Sequence, residues 1–396
     1  MKEVDVHIGS FPPEITGRLG NVNGKHVFSY RHDAKEALSV TMPVRNESYQ
    51  YTDLHPIFQM NLPEGALRSA IERMTAKQYG SDDLTMLTIL GCHQIGRIAY
   101  SPPDQEPVSH VDDELSLQAL LNHEDVGLFA TLLQRYAQTS GVAGVQPKVL
   151  LDIKSRLTLP AERYIVKSWG EDYPQLACNE FVCMNMARDA GLEVPDFYLS
   201  DNAQLLISHR FDIDEQGKAL GFEDFCVLQA KGTREKYDSS LEACTHTIRQ
   251  FVSPEHVAQA LYDFYKLTLL NVRIRNGDAH LKNSGILYSG LEGYQQGQMP
   301  DTPRKLAPIF DLVSTVPYLP RDTMALTLAG SKRWPKQKVL EVFGLGHCQL
   351  SKEQVKRAAE EVEFGVQANL GLLEGLQAKH EGFAGIAEKV FEVVNL

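Results

Sequence analysis

The sequence predicts an α+β fold spread over more than one domain. Three observations predict it: short segments with apolar residues at every second position near the N-terminus, longer runs with apolar residues at helical spacing from Gln175 onward, and a stretch rich in proline and acids between the two. At 396 residues, 43% hydrophobic and 23% charged, the chain can bury the cores of two or three domains.

The elements follow in order. "EVDVHIG", "HVFSY" and "LSVTM" read as strands, and helical runs start near Pro63 and Asp82, giving an N-terminal α+β subdomain over residues 1–102. Prolines and acids break periodicity in "SPPDQEPVSHVDDE", Ser101 to Glu114, which reads as a linker. A second segment, 115–230, opens with a helical run to about Gln138. It passes through the small-residue loop "SGVAGVQPK" into a strand from Lys148 to Ile153, and "RYIVKSW" is the next strand. "QLACNEFVCMNMARDAGLEVP" is a helix, with Gly191 at the expected C-cap and Pro195 beyond it. "QLLISHRFD" reads as a buried strand and "GFEDFCVLQAKG" as a strand or extended segment.

The third segment, 231–396, is predicted to be helical. From Pro254, "PEHVAQALYDFYKLTLLNVRIRN" has apolar residues around so much of its circumference that it belongs in a core. "SGILY" and "KLAPIFDLV" look like two strands flanking a polar insertion, Gly290 to Arg304, and the tail from Ser351 to Leu396 is helical.

A formal charge of −12 argues against direct, charge-driven binding to nucleic acid, so any DNA contact would have to come through a partner. Six cysteines without a CxxC or paired ligand spacing read as reduced core thiols. No apolar leader and no run of about eighteen apolar residues is present, which predicts neither secretion nor a membrane span and a cytoplasmic location.

Chemistry concentrates in "NGDAHLKN", Asn276 to Asn283, where four residues separate Asp278 from Asn283. Phosphoryl-transfer loops of the form D-x-x-x-x-N use that separation, the acid accepting a hydroxyl proton and the amide holding a metal. A second metal ligand should follow on a strand end, where Asp311 in "APIFDLV" stands; alone, it reads first as a strand-terminating turn acid, and its position after Asn283 reverses that preference. A strand lysine paired with a helix glutamate should precede both, and Lys167 and Glu180 occupy those places. Each taken singly is also compatible with an edge-strand lysine and an exposed helix acid. The loop from Ser140 to Lys148 permits close backbone approach to a phosphate but matches neither standard glycine-rich pattern, so a simple helix-to-strand turn explains it equally well. The order of the parts along the chain is what joins them.

With those parts in that order, the chain resembles the HipA family of serine/threonine kinases, toxins of bacterial toxin–antitoxin pairs. The resemblance rests on "VAGVQPK", "YIVK", "NEFVCMNMARDAGLEVP", "HRFD", "NGDAHLKN" and "LAPIFDLVS", with "NLPEGALRSAI" and "LTMLTILGCHQIGRIAY" matching the family's N-terminal subdomain. It implies a bilobal protein-kinase-like fold with an all-α C-terminal lobe, using ATP and Mg2+. By position it makes Asp278 the catalytic base and Asn283 and Asp311 the metal ligands. Lys167 contacts the phosphates with Glu180 as its ion-pair partner. Ala143, Gly144, Val145, Gln146, Pro147 and Lys148 cover the phosphates, His209, Arg210 and Phe211 form the adenine hinge, and His280 and Lys282 lie near the nucleotide.

Two positions depart from the family pattern. The serine whose autophosphorylation ejects the phosphate loop is replaced by Gly141, leaving Ser140, beside Thr139, as the neighbouring hydroxyl for that modification. The hinge begins with His209 where the family has an acid. The resemblance further implies growth arrest by phosphorylation of a translation component, typically an aminoacyl-tRNA synthetase. It also implies neutralisation by a HipB-like helix-turn-helix antitoxin that binds operator DNA. A small-molecule kinase and a nucleotide-binding pseudokinase or corepressor are the competing readings.

Overall fold

The computed structural model describes the chain except residues 1–2, 10–12, 63, 65–67, 69–79, 92–93, 108–116, 123–147, 154–161 and 396. Its strands are β1 Glu3–Ile8, β2 Glu14–Val22, β3 Lys25–Tyr30, β4 Tyr49–Tyr51, β5 Ile98–Ser101, β6 Lys148–Ile153, β7 Glu162–Ser168, β8 Phe197–Leu199, β9 Leu205–His209, β10 Gly221–Asp224, β11 Gly285–Tyr288 and β12 Arg304–Leu306. The helices that matter below are α1 Pro56–Met60, α2 Asp83–Leu90, α3 Leu117–Leu121, α4 Leu176–Asp189, α5 Phe225–Leu228, α6 Leu241–Phe251, α7 Pro254–Arg273, α8 Gln337–Gly346 and α9 Lys352–Ala368. One sheet is five-stranded, ordered β4-β3-β2-β1-β5, and β8 pairs antiparallel with β9.

The residues cluster into two units that alternate along the sequence. One comprises Met1–Val166, His209–Thr233 and Leu287–Pro303; the other comprises Lys167–Ser208, Arg234–Ile286 and Arg304–Leu396.

The first unit is organised by the antiparallel five-stranded sheet. β2 and β3 meet across Asn23 and Gly24, both at positive φ (53° and 78°), which is the geometry of a two-residue hairpin turn matched to strand twist. Val4, Val6 and Ile8 of β1 enter the core with Leu19, Phe28 and Phe58. The Phe28 ring lies 5.5 Å from that of Phe58. Asp5 and His7 point to the other face of β1 and are also buried; Asp5 accepts from Arg18 Nε at 2.7 Å and His7 Nε2 lies 2.8 Å from Ser101 Oγ. Short helices are capped by side chains, His55 accepting from Ile57 N–H in α1 and Asp82 from Thr85 N–H in α2.

Two expected strands are corrected here. "LSVTM" forms no strand, because side chains take its backbone donors: the Tyr30 hydroxyl accepts from Leu38 N–H at 2.8 Å, and the buried Glu223 carboxylate accepts from Val40 N–H at 2.8 Å. "GFEDFCVLQAKG" is extended only through β10; Asp224 then accepts from Val227 N–H and turns the chain into α5.

The second unit is mainly helical and packs around α7. Ser253 and Pro254 start that helix, and ten of its residues are buried, including Leu261, Phe264, Tyr265, Leu267 and Leu270. α4 ends as expected, with Gly191 at φ +71° and Leu192 N–H donating to Ala187 carbonyl at 3.0 Å. α9 starts with a capping box between Ser351 and Gln354 and approaches α4 at Gly365, where an added Cβ would lie 2.6 Å from Ala190 N. The expectation of an all-α C-terminal segment is corrected by β11 and β12. "KLAPIFDLV" is a strand only at its start, within Arg304–Leu306, since Pro308 has no N–H to continue the ladder; Asp311, farther on, takes a left-handed conformation at φ +63°. Among the described residues, no helix is long and apolar enough to cross a membrane.

Candidate functional site

Lys167 is the penultimate residue of β7. Its ammonium donates to Glu180 Oε1 at 2.5 Å and to Asp311 Oδ1. Lys167 and Glu180 side chains are only 15% and 9% exposed, which removes the readings of an edge-strand lysine and a solvent-facing helix acid. Burial alone lowers the Lys167 pKa, but the adjacent Asp311 and Glu180 carboxylates outweigh it and raise the value above that of an ordinary lysine. The lysine is therefore a fixed cation at neutral pH.

α4 supplies a second grip on the same place. Asn179, fully buried, donates from Nδ2 to Ser314 carbonyl at 2.9 Å and accepts at Oδ1 from Ser314 N–H at 2.9 Å. Neighbouring residues on one helix thus fix the 311–314 segment, Asn179 through its backbone and Glu180 through the lysine shared with Asp311. Spacing gave no sign of the Asn179 role, because an amide in a helix is equally at home on the surface. Cys183, one turn on, is pushed up to about 12 by burial and is a core thiol. Five cysteines are buried and free, Cys178, Cys183, Cys226, Cys244 and Cys348. Cys92 lies outside the described residues.

The loop after α7 is folded by its own amides. Asn276 donates to Asn271 Oδ1 at 2.9 Å and accepts Asp278 N–H at 3.1 Å. Gly277 N–H donates to the Thr315 hydroxyl oxygen at 2.9 Å, and that hydroxyl lies 2.5 Å from Asp322 Oδ2. A Cβ on Gly277 would collide with the Asp322 carboxylate and lie 2.7 Å from Thr323 carbonyl oxygen, so glycine is required there by close approach.

Asp278 emerges from this loop half-exposed, at 49%. Its Oδ1 accepts from the Tyr237 hydroxyl at 2.6 Å. Asn283 donates from Nδ2 to Asp278 carbonyl at 2.8 Å, which commits the amide nitrogen and leaves its oxygen as the acceptor end. His280 is buried with its ring edge-on to Tyr237, centroids 5.2 Å apart, and Lys282 is half-buried in the same turn. Tyr237 is the residue that reading along the chain missed, since it reaches Asp278 from 41 positions away.

The described residues contain no group of three or more His, Cys, Asp or Glu side chains fit to hold a metal. Asn283 Oδ1 and the Asp311 carboxylate, both in the second unit, are hard oxygen donors of the kind Mg2+ takes alongside phosphates and water.

The expected hinge lies in the first unit. His209 ends β9 with its ring edge-on to Tyr164 at 5.3 Å, and the Phe211 ring meets Phe222 at 5.4 Å. Arg210 is 3% exposed and its guanidinium is consumed by Asp212, to which Nε donates at 2.9 Å, and by Gln94 carbonyl at 2.7 Å. A nucleotide at this segment would meet backbone, not the Arg210 side chain. Lys148 begins β6; Ser140 and Ala143, Gly144, Val145, Gln146 and Pro147 lie outside the described residues.

A model of the HipA-like C-terminal domain matches residues 140–370, more than half of the chain. The chain belongs to the HipA family. A model of the HipA N-terminal domain matches residues 10–101, so both parts of the family's architecture are present in this HipA-family chain. Two similar proteins come from Sinorhizobium fredii (strain NBRC 101917 / NGR234): "Putative kinase Y4dM", 29% identical over 302 residues, and "Putative kinase Y4mE", 29% identical over 311. The matches cover 70% and 71% of this chain and 66% and 69% of those proteins, about two thirds of their length. The HipA fold is shown by a solved structure, the Shewanella oneidensis MR-1 complex of HipA, HipB and its operator DNA. It superposes with a TM-score of 0.66 over 99% of both chains at 16% identity.

Proposed function

We propose that this HipA-family chain is an ATP- and Mg2+-dependent serine/threonine protein kinase that acts as a toxin. The observation that carries the reading is the Lys167–Glu180 ion pair, buried and joined to Asp311, in the same unit as the Asp278–Asn283 loop. Phosphoryl transfer asks of a protein mainly that phosphates be held and that charge and proton have somewhere to go.

Each residue then has one task. Lys167 holds the nucleotide phosphates, its position set by Glu180. Asp278 accepts the proton of the acceptor hydroxyl as that oxygen bonds to the γ-phosphorus and the bond to the β–γ bridging oxygen breaks, with ADP as the leaving group. Asn283 and Asp311 hold Mg2+, which when bound supplies charge neutralisation of the phosphates. Backbone of His209–Phe211 receives the adenine, and the Ala143–Lys148 loop covers the phosphates. Ser140, with Gly141 in the usual place of the switch serine, is the candidate autophosphorylation site.

The solved relative's complex with HipB and operator DNA supports a HipB-like antitoxin as the partner. An acidic chain at −12 reaches DNA most simply through such a partner. The substrate we propose is a translation protein such as an aminoacyl-tRNA synthetase, in the cytoplasm. Incubation of the purified chain with γ-labelled ATP, Mg2+ and a bacterial lysate tests the reading. Label on a discrete protein band, abolished by chelation, supports it; label appearing only on a low-mass metabolite would move the assignment to a small-molecule kinase.

A further inference from the structure

Between Arg321 and Lys338 the chain places five cations, Arg321, Lys332, Arg333, Lys336 and Lys338, against one acid, Asp322. That is a net +4 within a chain whose total is −12. All five cations are exposed, and none is ion-paired with a carboxylate among the described residues. Solvated lysines scattered over a surface need no explanation; a concentration of one sign on an oppositely charged protein sets up a local field.

This stretch is fastened to the loop that bears Asp278. Asp322 packs against Gly277, as described above, and Trp334 Nε1 donates to Asp322 carbonyl at 3.0 Å. The Arg275 guanidinium lies over the Trp334 ring at 5.1 Å. Lys332 Nζ donates to the carbonyl of Tyr237 at 3.0 Å, and Tyr237 is the residue whose hydroxyl holds Asp278. Lys236 adds a further ammonium, 5.4 Å over the Tyr237 ring. Backbone bonds from Leu241 N–H to Thr327 carbonyl at 2.9 Å and from Thr327 N–H to Ser239 carbonyl at 3.1 Å anchor the middle of the stretch. Lys332 is therefore held against the residue that contacts the candidate base, and the other cations of the stretch follow it along anchored backbone.

We propose that this cationic face docks an acidic segment of the acceptor protein next to its phosphorylated serine or threonine, an inference that rests on the kinase reading. Charge complementarity carries it: an acceptor with aspartates or glutamates flanking its hydroxyl is repelled by the chain's net charge and attracted at this face, which both selects and orients it. Lys332 then sits at the acceptor's near side, and Arg333, Lys336 and Lys338 farther along the stretch.

The test uses the full chain, Mg2+-ATP and three serine peptides differing only in flanking residues: glutamate, serine or lysine. KM should be lowest for the glutamate peptide, at least about tenfold below the lysine peptide, and should rise as salt screens the contact. The triple variant R333E/K336E/K338E should abolish or invert that order while leaving the KM for ATP unchanged. Binding of the fluorescent glutamate peptide to Asp278→Asn, read by anisotropy, separates docking from chemistry. Equal KM for all peptides, or a triple variant that keeps the wild-type order, overturns the proposal. So does binding of a short DNA duplex that the triple variant loses while its peptide preference persists. If the glutamate peptide binds selectively but no peptide accepts phosphate, the kinase reading fails and the acidic docking face stands.

Discussion

The hydroxyl of Tyr237 donates to Oδ1 of Asp278 over 2.6 Å, so the candidate base has one carboxylate oxygen held and the other left for an acceptor. A hydrogen bond to a charged group contributes about 1.5–3 kcal/mol. Tyr237→Phe is therefore expected to lower kcat roughly tenfold to a hundredfold, with the KM for ATP unchanged. A rise in kcat would mean that the tyrosine blocks the acceptor's place, not that it orients the base.

Asn179 and Glu180 act on one segment by different means, and their variants should separate. Asn179→Ala takes the amide partner from both the buried N–H and the C=O of Ser314. It should cost on the order of 2–3 kcal/mol in urea unfolding, with activity falling through misplacement of Asp311. Glu180→Gln keeps the shape and removes the charge, so it should raise the KM for ATP with a smaller loss of stability.

Gly277→Ala tests the packing beneath the loop. The new methyl group meets the Asp322 carboxylate and Thr323 carbonyl. Strain of about 1–3 kcal/mol is expected, concentrated in the loop that carries Asp278. Activity should fall far more than the melting temperature, and adding Asp322→Ala should restore part of it. Equal loss of activity and stability would place the strain elsewhere.

Much of the fold was legible because periodicity and caps are local. The α4 helix with Gly191 beyond it, the core helix α7 and the strands at Glu3, Lys25 and Leu205 follow directly from apolar spacing and stop signals. "LSVTM" has strand composition, but its backbone donors are taken by Tyr30 and by Glu223, 183 positions distant, which no local pattern encodes. In the candidate site, Asp278, Asn283, Lys167 and Glu180 were visible through spacing and residue type. Tyr237 and Asn179 were not, since each acquires its task only when the chain folds back on a distant loop.

His55 gives the first unit a pH dependence that does not involve the candidate site. Burial lowers its pKa from the ordinary 6.5 to about 4, and its Nδ1 caps α1 by accepting from Ile57 N–H. Below pH 6.5 the unfolded chain takes up a proton that the folded chain refuses, so stability is full above that pH and is lost as pH falls toward 4. The loss should be on the order of 3 kcal/mol. His55→Asn, which can still cap the helix, should flatten the slope of urea stability between pH 7 and 4.

The central claim is that Asp278 takes the acceptor's proton on a scaffold that Lys167, Glu180 and Asp311 complete. Quantitative phosphoproteomics of cells expressing the wild-type chain beside Asp278→Asn tests it most directly, with circular dichroism confirming that the variant is folded. Serine or threonine phosphosites that appear with the wild type and are absent with the variant are the predicted result. Identical phosphosites in both cultures, or sites that persist undiminished in the variant, would contradict it.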